Sequence, residues 1–495
     1  MSPSTAQPLQ ETTAPGPEVD EKAPRALPLC VDLDGTLIKT DSLIESLVVL
    51  VRDRLLTLLL LPFWLLRGRA AFKQEIASRV TLAAENLPYR QPLVDWLRTE
   101  RAGGRKIILA TAADEKIARA VAAHLDLFDQ VLASGAGVNL KGSRKRDALV
   151  KEFGEKGFAY AGDHAADLPI WAAAGEVIVV GASAAVERRA RAQGSVVRVF
   201  GESQNRLKLF LKAIRVHQWL KNLLVFVPLF TAHKITDLAL LTKAGVAFFA
   251  YSFCASAVYL ANDLMDLEAD RRHRSKSRRP FASGALPLTA GLLAGPVLLV
   301  LSSALALWVG KTFALYLAFY FVLTNAYTFA LKREPLIDVL CLAGLYTLRI
   351  FAGAASTGVD VSMWLSALSM FGFLSLALVK RVSELHVAKE ANRGALHGRG
   401  YQVGDLAVLS QAGITSGYLS ILVFALYIHG EEVKTLYRNG AMLWFICPLI
   451  FYWISRVWLL THRGRMHDDP VVFAVRDRVS YVVGVLALGI IYLAT

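Results

Sequence analysis

From Asn222 to the C-terminus the chain is a succession of long apolar stretches broken by short, basic polar segments. They fall near 223–236, 238–261, 288–309, 312–331, 336–356, 361–379, 407–428, 440–460 and 479–494. Most of them match the thickness of a bilayer's hydrocarbon core, which predicts an all-α polytopic membrane bundle of about nine transmembrane helices. The first is short and is interrupted by Pro228. Ahead of it the pattern changes. Leu29–Leu33, Lys106–Ala110, Gly157–Ala161 and Val177–Val180 are short apolar runs, each followed by a polar turn and separated by helical stretches. That alternation predicts a doubly wound α/β domain.

Composition agrees with a mostly lipid-embedded chain: 54% of the 495 residues are hydrophobic, 19% are charged, and the mean hydropathy is +0.42. The net charge of +14 does not point to nucleic acid, because the basic residues cluster between apolar runs, where they set topology and bind phosphate. Loops after even-numbered spans carry about 18 Lys and Arg against about 5 after odd ones, so the α/β domain is expected in the cytoplasm of a bacterial-type inner membrane and Thr495 on the opposite side. Cys30, Cys254, Cys341 and Cys447 are too scattered for a zinc site or a disulfide framework. Residues 1–26 are rich in Pro, Thr, Ser and Glu and are expected to be a disordered tail without a signal peptide. The junction falls in the polar Gly194–Arg206 region, giving an α/β domain over 27–200, a linker over 201–214 and a membrane domain over 215–495.

Four segments of the α/β domain carry chemistry. Val31-Asp32-Leu33-Asp34-Gly35-Thr36 ends a strand, where Asp32 can attack phosphorus and Asp34, two residues on, can manage the leaving-group proton. Thr111 ends a second strand with a hydroxyl for a phosphoryl oxygen. Lys145 supplies a cation, and Asp163 and Asp167 end a further strand with carboxylates suited to Mg²⁺. This ordered set resembles the haloacid dehalogenase superfamily, in the phosphoserine-phosphatase-like branch with a helical cap. The resemblance implies that Asp32 is the nucleophile and Asp34 the acid/base, that Thr111 and Lys145 bind phosphate, and that Asp163, supported by Asp167, joins Asp32 and Asp34 around the metal. A retained fold with a structural or regulatory role is the alternative. The expected cap, about Ser42 to Tyr89, contains the run Leu55–Leu66 flanked by Arg52, Arg54, Arg67 and Arg69. That run is short for a span and suits either an interfacial helix or a buried cap helix.

In the membrane domain, Asn262, Asp263, Asp266 and Asp270 follow the second span at helical spacings that put them on one face, offering oxygens to Mg²⁺ and through it to a diphosphate. Asn262-Asp263-Leu264-Met265-Asp266 with Asp270, followed by the basic segment Arg271–Gly284, resembles the first signature of the UbiA prenyltransferase superfamily, which has nine spans. The opening Arg215–Asn222, the Tyr327–Lys332 stretch and Lys380-Arg381-Val382-Ser383-Glu384 resemble, within it, the decaprenyl-phosphate phosphoribosyltransferases. Where the superfamily carries a second Asp-rich motif, this chain has that Lys380–Glu384 segment, which suits an anionic partner better than a neutral aromatic acceptor. The resemblance assigns Lys221, Lys276, Arg279, Tyr327, Lys332, Arg349, Lys380, Arg381 and Glu384 to substrate binding. It implies transfer of phosphoribose from phosphoribosyl diphosphate to a polyprenyl phosphate, Mg²⁺ in both domains, and removal of the product's 5-phosphate by the attached phosphatase. Prenyl transfer to an aromatic acceptor, or a catalytically dead membrane binding protein, are the alternatives.

Overall fold

The computed structural model describes residues 26–135, 139–201, 205–392, 394–396, 398–466 and 469–495. The expected N-terminal tail lies almost wholly outside the described residues. The chain divides into two compact units, Met1–Ser203 and Gln204–Thr495.

The first unit is a six-stranded parallel sheet of order β3-β2-β1-β4-β5-β6. Its strands are β1 (Leu29–Val31), β2 (Ile107–Asp114), β3 (Gln130–Ser134), β4 (Ala159–Gly162), β5 (Glu176–Val180) and β6 (Val196–Phe200). The central strands are buried on both faces, as parallel strands sandwiched by helices require: Leu29, Cys30, Val31, Ala159, Tyr160 and Ala161 are all 0% exposed. Helices α4 (Gln91–Ala102), α5 (Glu115–Leu125), α6 (Ser143–Phe153), α7 (Leu168–Ala173) and α8 (Ala184–Gln193) cover them. The cap consists of α1 (Ser42–Asp53), a 3-10 segment Leu55–Leu60, α2 (Leu61–Leu66) and α3 (Arg69–Arg79), gathered around Leu50, Trp64, Ile76 and Val80.

Two strands escaped the sequence reading. β3 is half-buried throughout, and β6 is an edge strand whose middle residues face solvent. Part of the expected junction is therefore a sheet edge. Within the expected linker, Arg206–Ala213 forms a helix, α9.

The second unit is an all-α bundle. Seven helices among the described residues are long and apolar enough to cross a membrane. They are α11 (Leu238–Met265), α13 (Leu288–Val309), α14 (Lys311–Phe329), α15 (Ile337–Thr357), α16 (Met363–Glu390), α17 (Leu406–Ile428) and α19 (Ile446–His462) with its 3-10 lead-in Gly440–Phe445. The expected first span is a broken element, a 3-10 stretch Val216–Phe226 followed by α10 (Val227–Thr231). Because a 3-10 helix rises about 2 Å per residue, this element is about 30 Å long despite its few residues. The expected last span is α21 (Arg478–Ala494), of 17 residues. Short helices α12 (Leu267–Arg272), α18 (Glu431–Leu436) and α20 (Pro470–Arg476) lie between spans.

Side-chain size decides which helices approach closely. α11 buries Ala244, Ala247, Ala250, Cys254, Ala255 and Ala257, and such small residues let helix backbones meet. α13 instead turns Leu293, Val297, Val300 and Leu307 outward, as a helix facing lipid does. The unit is a multi-pass membrane bundle.

Candidate functional sites

In the α/β unit, β1 and β4 are neighbours at the point where the strand order reverses, and chains diverge there to leave a crevice at the carboxyl ends of the strands. Asp32 follows β1, Asp163 follows β4, and Thr111 lies in β2. The Asp32 amide continues the ladder by donating to the Ala161 carbonyl at 3.0 Å, which places its side chain at the rim. Ligand oxygens of Asp32, Asp163 and Asp167 lie within 4.8 Å of one another. This donor set fits a small divalent cation that takes oxygen ligands.

Lys145, near the start of α6, places Nζ 2.8 Å from Asp32 Oδ2 and donates to the Tyr160 hydroxyl at 2.9 Å. Tyr160 donates to Asp167 at 3.1 Å. Thr36 donates to Asp163 at 3.4 Å. Gly35 turns the chain between these groups with φ +75°, and a Cβ there would come 2.2 Å from Asp163 Oδ2. Thr111 is fully buried, and its hydroxyl accepts the Ala113 amide at 3.0 Å.

Asp34 stands apart from the three clustered carboxylates. Its Oδ1 accepts the Ser42 amide at 2.8 Å, fastening the first turn of α1 to the loop that follows β1. Burial, then the charges of Asp41 and Asp32, push its carboxyl up to about 7. Burial, then Asp167 and Asp32, push Asp163 up to about 8. An Asp34 carboxyl that titrates near neutrality can both give and take a proton there.

In the membrane unit, α11 ends at Met265 and α12 starts at Leu267, so the chain bends at Asp266. The bend separates the acids that a straight helix would align. Asp263 and Asp270 are buried, whereas Asp266 is exposed. Arg279 Nη1 donates to Asp263 at 3.0 Å and to Asp270 at 2.6 Å, and Arg215 donates to Asp263 at 2.5 Å. Two carboxylates thus converge on one guanidinium nitrogen. Asn262 turns to Thr328 instead, donating at 3.4 Å.

A cationic pole is built from other elements. Lys221, on the 3-10 stretch, and Lys380, on α16, lie 2.7 Å and 3.6 Å from Asp469 Oδ2. Tyr346 donates to Asp469 Oδ1 at 3.3 Å and stacks on Phe373 with ring centroids 5.2 Å apart. Behind Tyr346, Arg349 donates to Asn222 at 2.9 Å and lies about 5 Å from the ring centroids of Tyr251, Tyr320 and Tyr346. Phe373 in turn lines an apolar cavity of about 340 Å³ with Leu224, Leu376 and Trp453. The stacked Tyr346–Phe373 pair therefore joins the lysine cluster at Asp469 to the apolar cavity.

Arg381 belongs to a different network. It is 0% exposed and pairs with the equally buried Asp338 at 2.7 Å, with Glu384 also in contact. Tyr327 donates to Asp338 at 2.8 Å, and Arg399 lies 3.3 Å from the same carboxylate. Arg381, Tyr327 and Glu384 thus cross-brace α14, α15 and α16, with Glu384 also facing an open basic cavity lined by Arg272, Arg274, Arg278 and Arg399. Lys276 is exposed and Lys332 half-buried, away from both poles' contacts.

Tyr160, Asp338 and Asp469 are among the site residues that the sequence does not single out. Tyr160 reads there as a core strand position. Asp338 is an acid inside an apolar stretch, and Asp469 belongs to an Asp-Asp-Pro sequence ahead of the last apolar stretch.

A multi-pass bundle with an acidic and a cationic pole beside an apolar chamber defines a polytopic membrane transferase. The chain belongs to the UbiA prenyltransferase family, which matches residues 223–476. Across both units it is 41% identical over 466 residues to an uncharacterized protein of Sinorhizobium fredii, covering 93% of this chain and 90% of that one. It is 31% identical over 274 residues to a decaprenyl-phosphate phosphoribosyltransferase of Mycobacterium tuberculosis, covering 54% of this chain and 88% of the relative. A solved UbiA homolog from Archaeoglobus fulgidus bound to GPP and Mg²⁺ aligns with a TM-score of 0.45 at 19% identity, covering 57% of this chain and 99% of that one.

Proposed function

We propose that the membrane unit transfers a phosphoribosyl group from phosphoribosyl diphosphate to a polyprenyl phosphate. The observation that carries this reading is the convergence of Lys221 and Lys380 on Asp469 beside the apolar chamber. Two ammonium groups suit the phosphate of a lipid whose chain lies in that chamber. The Mycobacterium tuberculosis relative, named for this reaction, supports the same substrate class. An oxygen of the lipid phosphate forms a bond to ribose C1 while the C1–oxygen bond to diphosphate breaks, the electron pair leaving with diphosphate. Asp263 and Asp270 would hold Mg²⁺, whose charge would offset that of the departing diphosphate. Arg279 and Arg215, now on those carboxylates, are placed to take diphosphate oxygens.

The α/β unit is read as a haloacid dehalogenase-like phosphatase acting on the 5-phosphate of the product. Asp32 attacks phosphorus, the ester oxygen leaves with a proton from Asp34, and water then cleaves the aspartyl phosphate. Asp32, Asp163 and Asp167 would hold Mg²⁺, and Lys145 orients the nucleophile. Both units would work at the cytoplasmic face, with Thr495 opposite.

A second reading, transfer of a prenyl chain from its diphosphate to an aromatic acceptor, is favoured by the family's own description. Membranes carrying the protein should move label from phosphoribosyl diphosphate into lipid. Label entering an aromatic acid from isoprenyl diphosphate, with none entering lipid from phosphoribosyl diphosphate, would establish the second reading instead.

A further inference from the structure

The cap of the α/β unit carries an apolar face that the fold leaves uncovered. Leu59, Leu60, Phe63, Leu65 and Leu66 are 70%, 47%, 65%, 56% and 85% exposed. Trp64, between them, turns inward to Leu50, Ile76 and Val80, with the Arg79 guanidinium 4.6 Å from its ring centroid. The outward residues are therefore not a poorly formed core. Among the described residues of this unit, the other exposed large apolar side chains are Val197 and Val199, on the edge strand β6. Concentration of the rest into eight consecutive positions marks an interaction surface.

Charge identifies the occupant. Arg54 and Arg67, both exposed, bracket the apolar segment, and a short apolar element between basic residues matches the boundary between acyl chains and anionic headgroups. The same chain spans a bilayer, so such a surface is always within reach. We infer that the cap seats on the anionic leaflet through residues 59–66.

The seating has a consequence for the site beneath. One end of the cap is tied to the catalytic loop by the Ser42 to Asp34 hydrogen bond, and its last helix is tied to β2 by Lys73 donating to the Ala112 carbonyl at 3.2 Å, beside Thr111. A cap held at the headgroup level thus places the mouth of the phosphoryl site where a lipid-borne phosphate lies. This part of the inference rests on the phosphatase reading; the seating itself does not.

The test uses the full chain in nanodiscs of mixed phosphatidylglycerol and phosphatidylcholine, with Cys447 replaced by Ser and an environment-sensitive fluorophore on Phe63→Cys or, as a control on α6, Lys151→Cys. Brominated lipids should quench the Phe63→Cys probe at least about threefold more than the control, and Leu66→Glu should reduce that difference. Equal quenching at both positions overturns the inference, as does a disulfide dimer through Phe63→Cys, which would make a second copy the occupant. Limited proteolysis checks that Leu66→Glu is folded. Hydrolysis of p-nitrophenyl phosphate should be unchanged in Leu66→Glu. If the wild-type protein hydrolyses none, the phosphatase reading fails while the quenching still decides the seating.

Discussion

Lys145 holds its ammonium nitrogen 2.8 Å from the Asp32 carboxylate, and the same nitrogen donates to Tyr160. On the proposed phosphatase reading, the cation that would neutralise a phosphoryl group is thus pre-positioned on the carboxylate proposed to attack, and both side chains are largely withdrawn from water. Lys145→Met should lower phosphate-ester hydrolysis by about 100-fold or more, and Asp32→Asn should abolish it. In both variants transfer into lipid should continue, so phosphorylated lipid product accumulates, which mass spectrometry of extracted lipid would detect. Undiminished dephosphorylation in Asp32→Asn, with no other phosphatase present, means that the unit serves another substrate.

Without metal, Asp34 titrates at about 7 and Asp163 at about 8, above the ordinary value of 3.8. A folded state with raised carboxyl values binds protons more tightly than the unfolded chain. Its stabilisation is full below the unfolded value and is lost as pH rises through the folded one. The metal-free α/β unit should therefore lose thermal stability between about pH 4 and about pH 8. Mg²⁺ should restore it at the alkaline end by several degrees. Unfolding scans with and without chelator, followed through the buried Trp171, would show a flat profile if the carboxylates do not cluster.

The bend at Asp266 ranks the acids of the membrane site. Asp263→Asn or Asp270→Asn should reduce transfer by about 100-fold or more and raise the Mg²⁺ requirement, because both face the shared Arg279 nitrogen. Asp266→Asn, at an exposed position, should cost much less. Initial rates across a magnesium titration give the order directly, and an Asp266 variant as damaged as the other two would reject this geometry.

Asp338 and Arg381 form an ion pair with both side chains at 0% exposure. Removing Asp338 leaves the buried Arg381 with Glu384 as its remaining acidic partner, so Asp338→Ala should destabilise the bundle by about 3 kcal/mol, whereas Asp338→Leu with Arg381→Met should recover much of that loss. Thermal stability in detergent separates this bracing role from substrate binding: a stable Asp338→Ala with impaired phosphate affinity would return Arg381 to the substrate.

What could be read from the sequence follows from where the physics is local. The placement of Asp32 and Asp163 is legible because short apolar strands announce themselves, and groups at their carboxyl ends share an edge in any parallel sheet; Thr111, expected to end its strand, lies inside β2, which runs on to Asp114. β6 is not legible, since Arg198 interrupts an edge strand with little to bury. Arg349 drew notice as a charge inside an apolar stretch, and Asp338 fits the same criterion. Its partners Arg381 and Arg399 lie 43 and 61 positions away, a pairing that no local pattern encodes. Asp469 reaches Lys221 across 248 positions. The acids around Asp266 were aligned on the assumption of an unbroken helix, and the bend undid that alignment.

The 3-10 stretch that begins the membrane unit works like a coarse screw thread. With three residues per turn, side chains three apart stand in one line. Trp219 and Asn222 engage Ser256 and Ser252 of α11 at 3.0 and 2.9 Å, and the next position in that line is the buried Val225. At Gly353 of α15, a Cβ would come 2.0 Å from the Val225 carbonyl oxygen, so the thread has no play there. Lys221 lies a third of a turn off that line. Adding or deleting one residue upstream of Trp219 leaves it in place, but the same change between Trp219 and Asn222 turns one end of the thread by about 120° against the other. The lysine then leaves Asp469 or the tryptophan leaves Ser256. A whole extra turn keeps the angle but slides the segment by about 6 Å, so the reading frame of this thread is set in both rotation and depth.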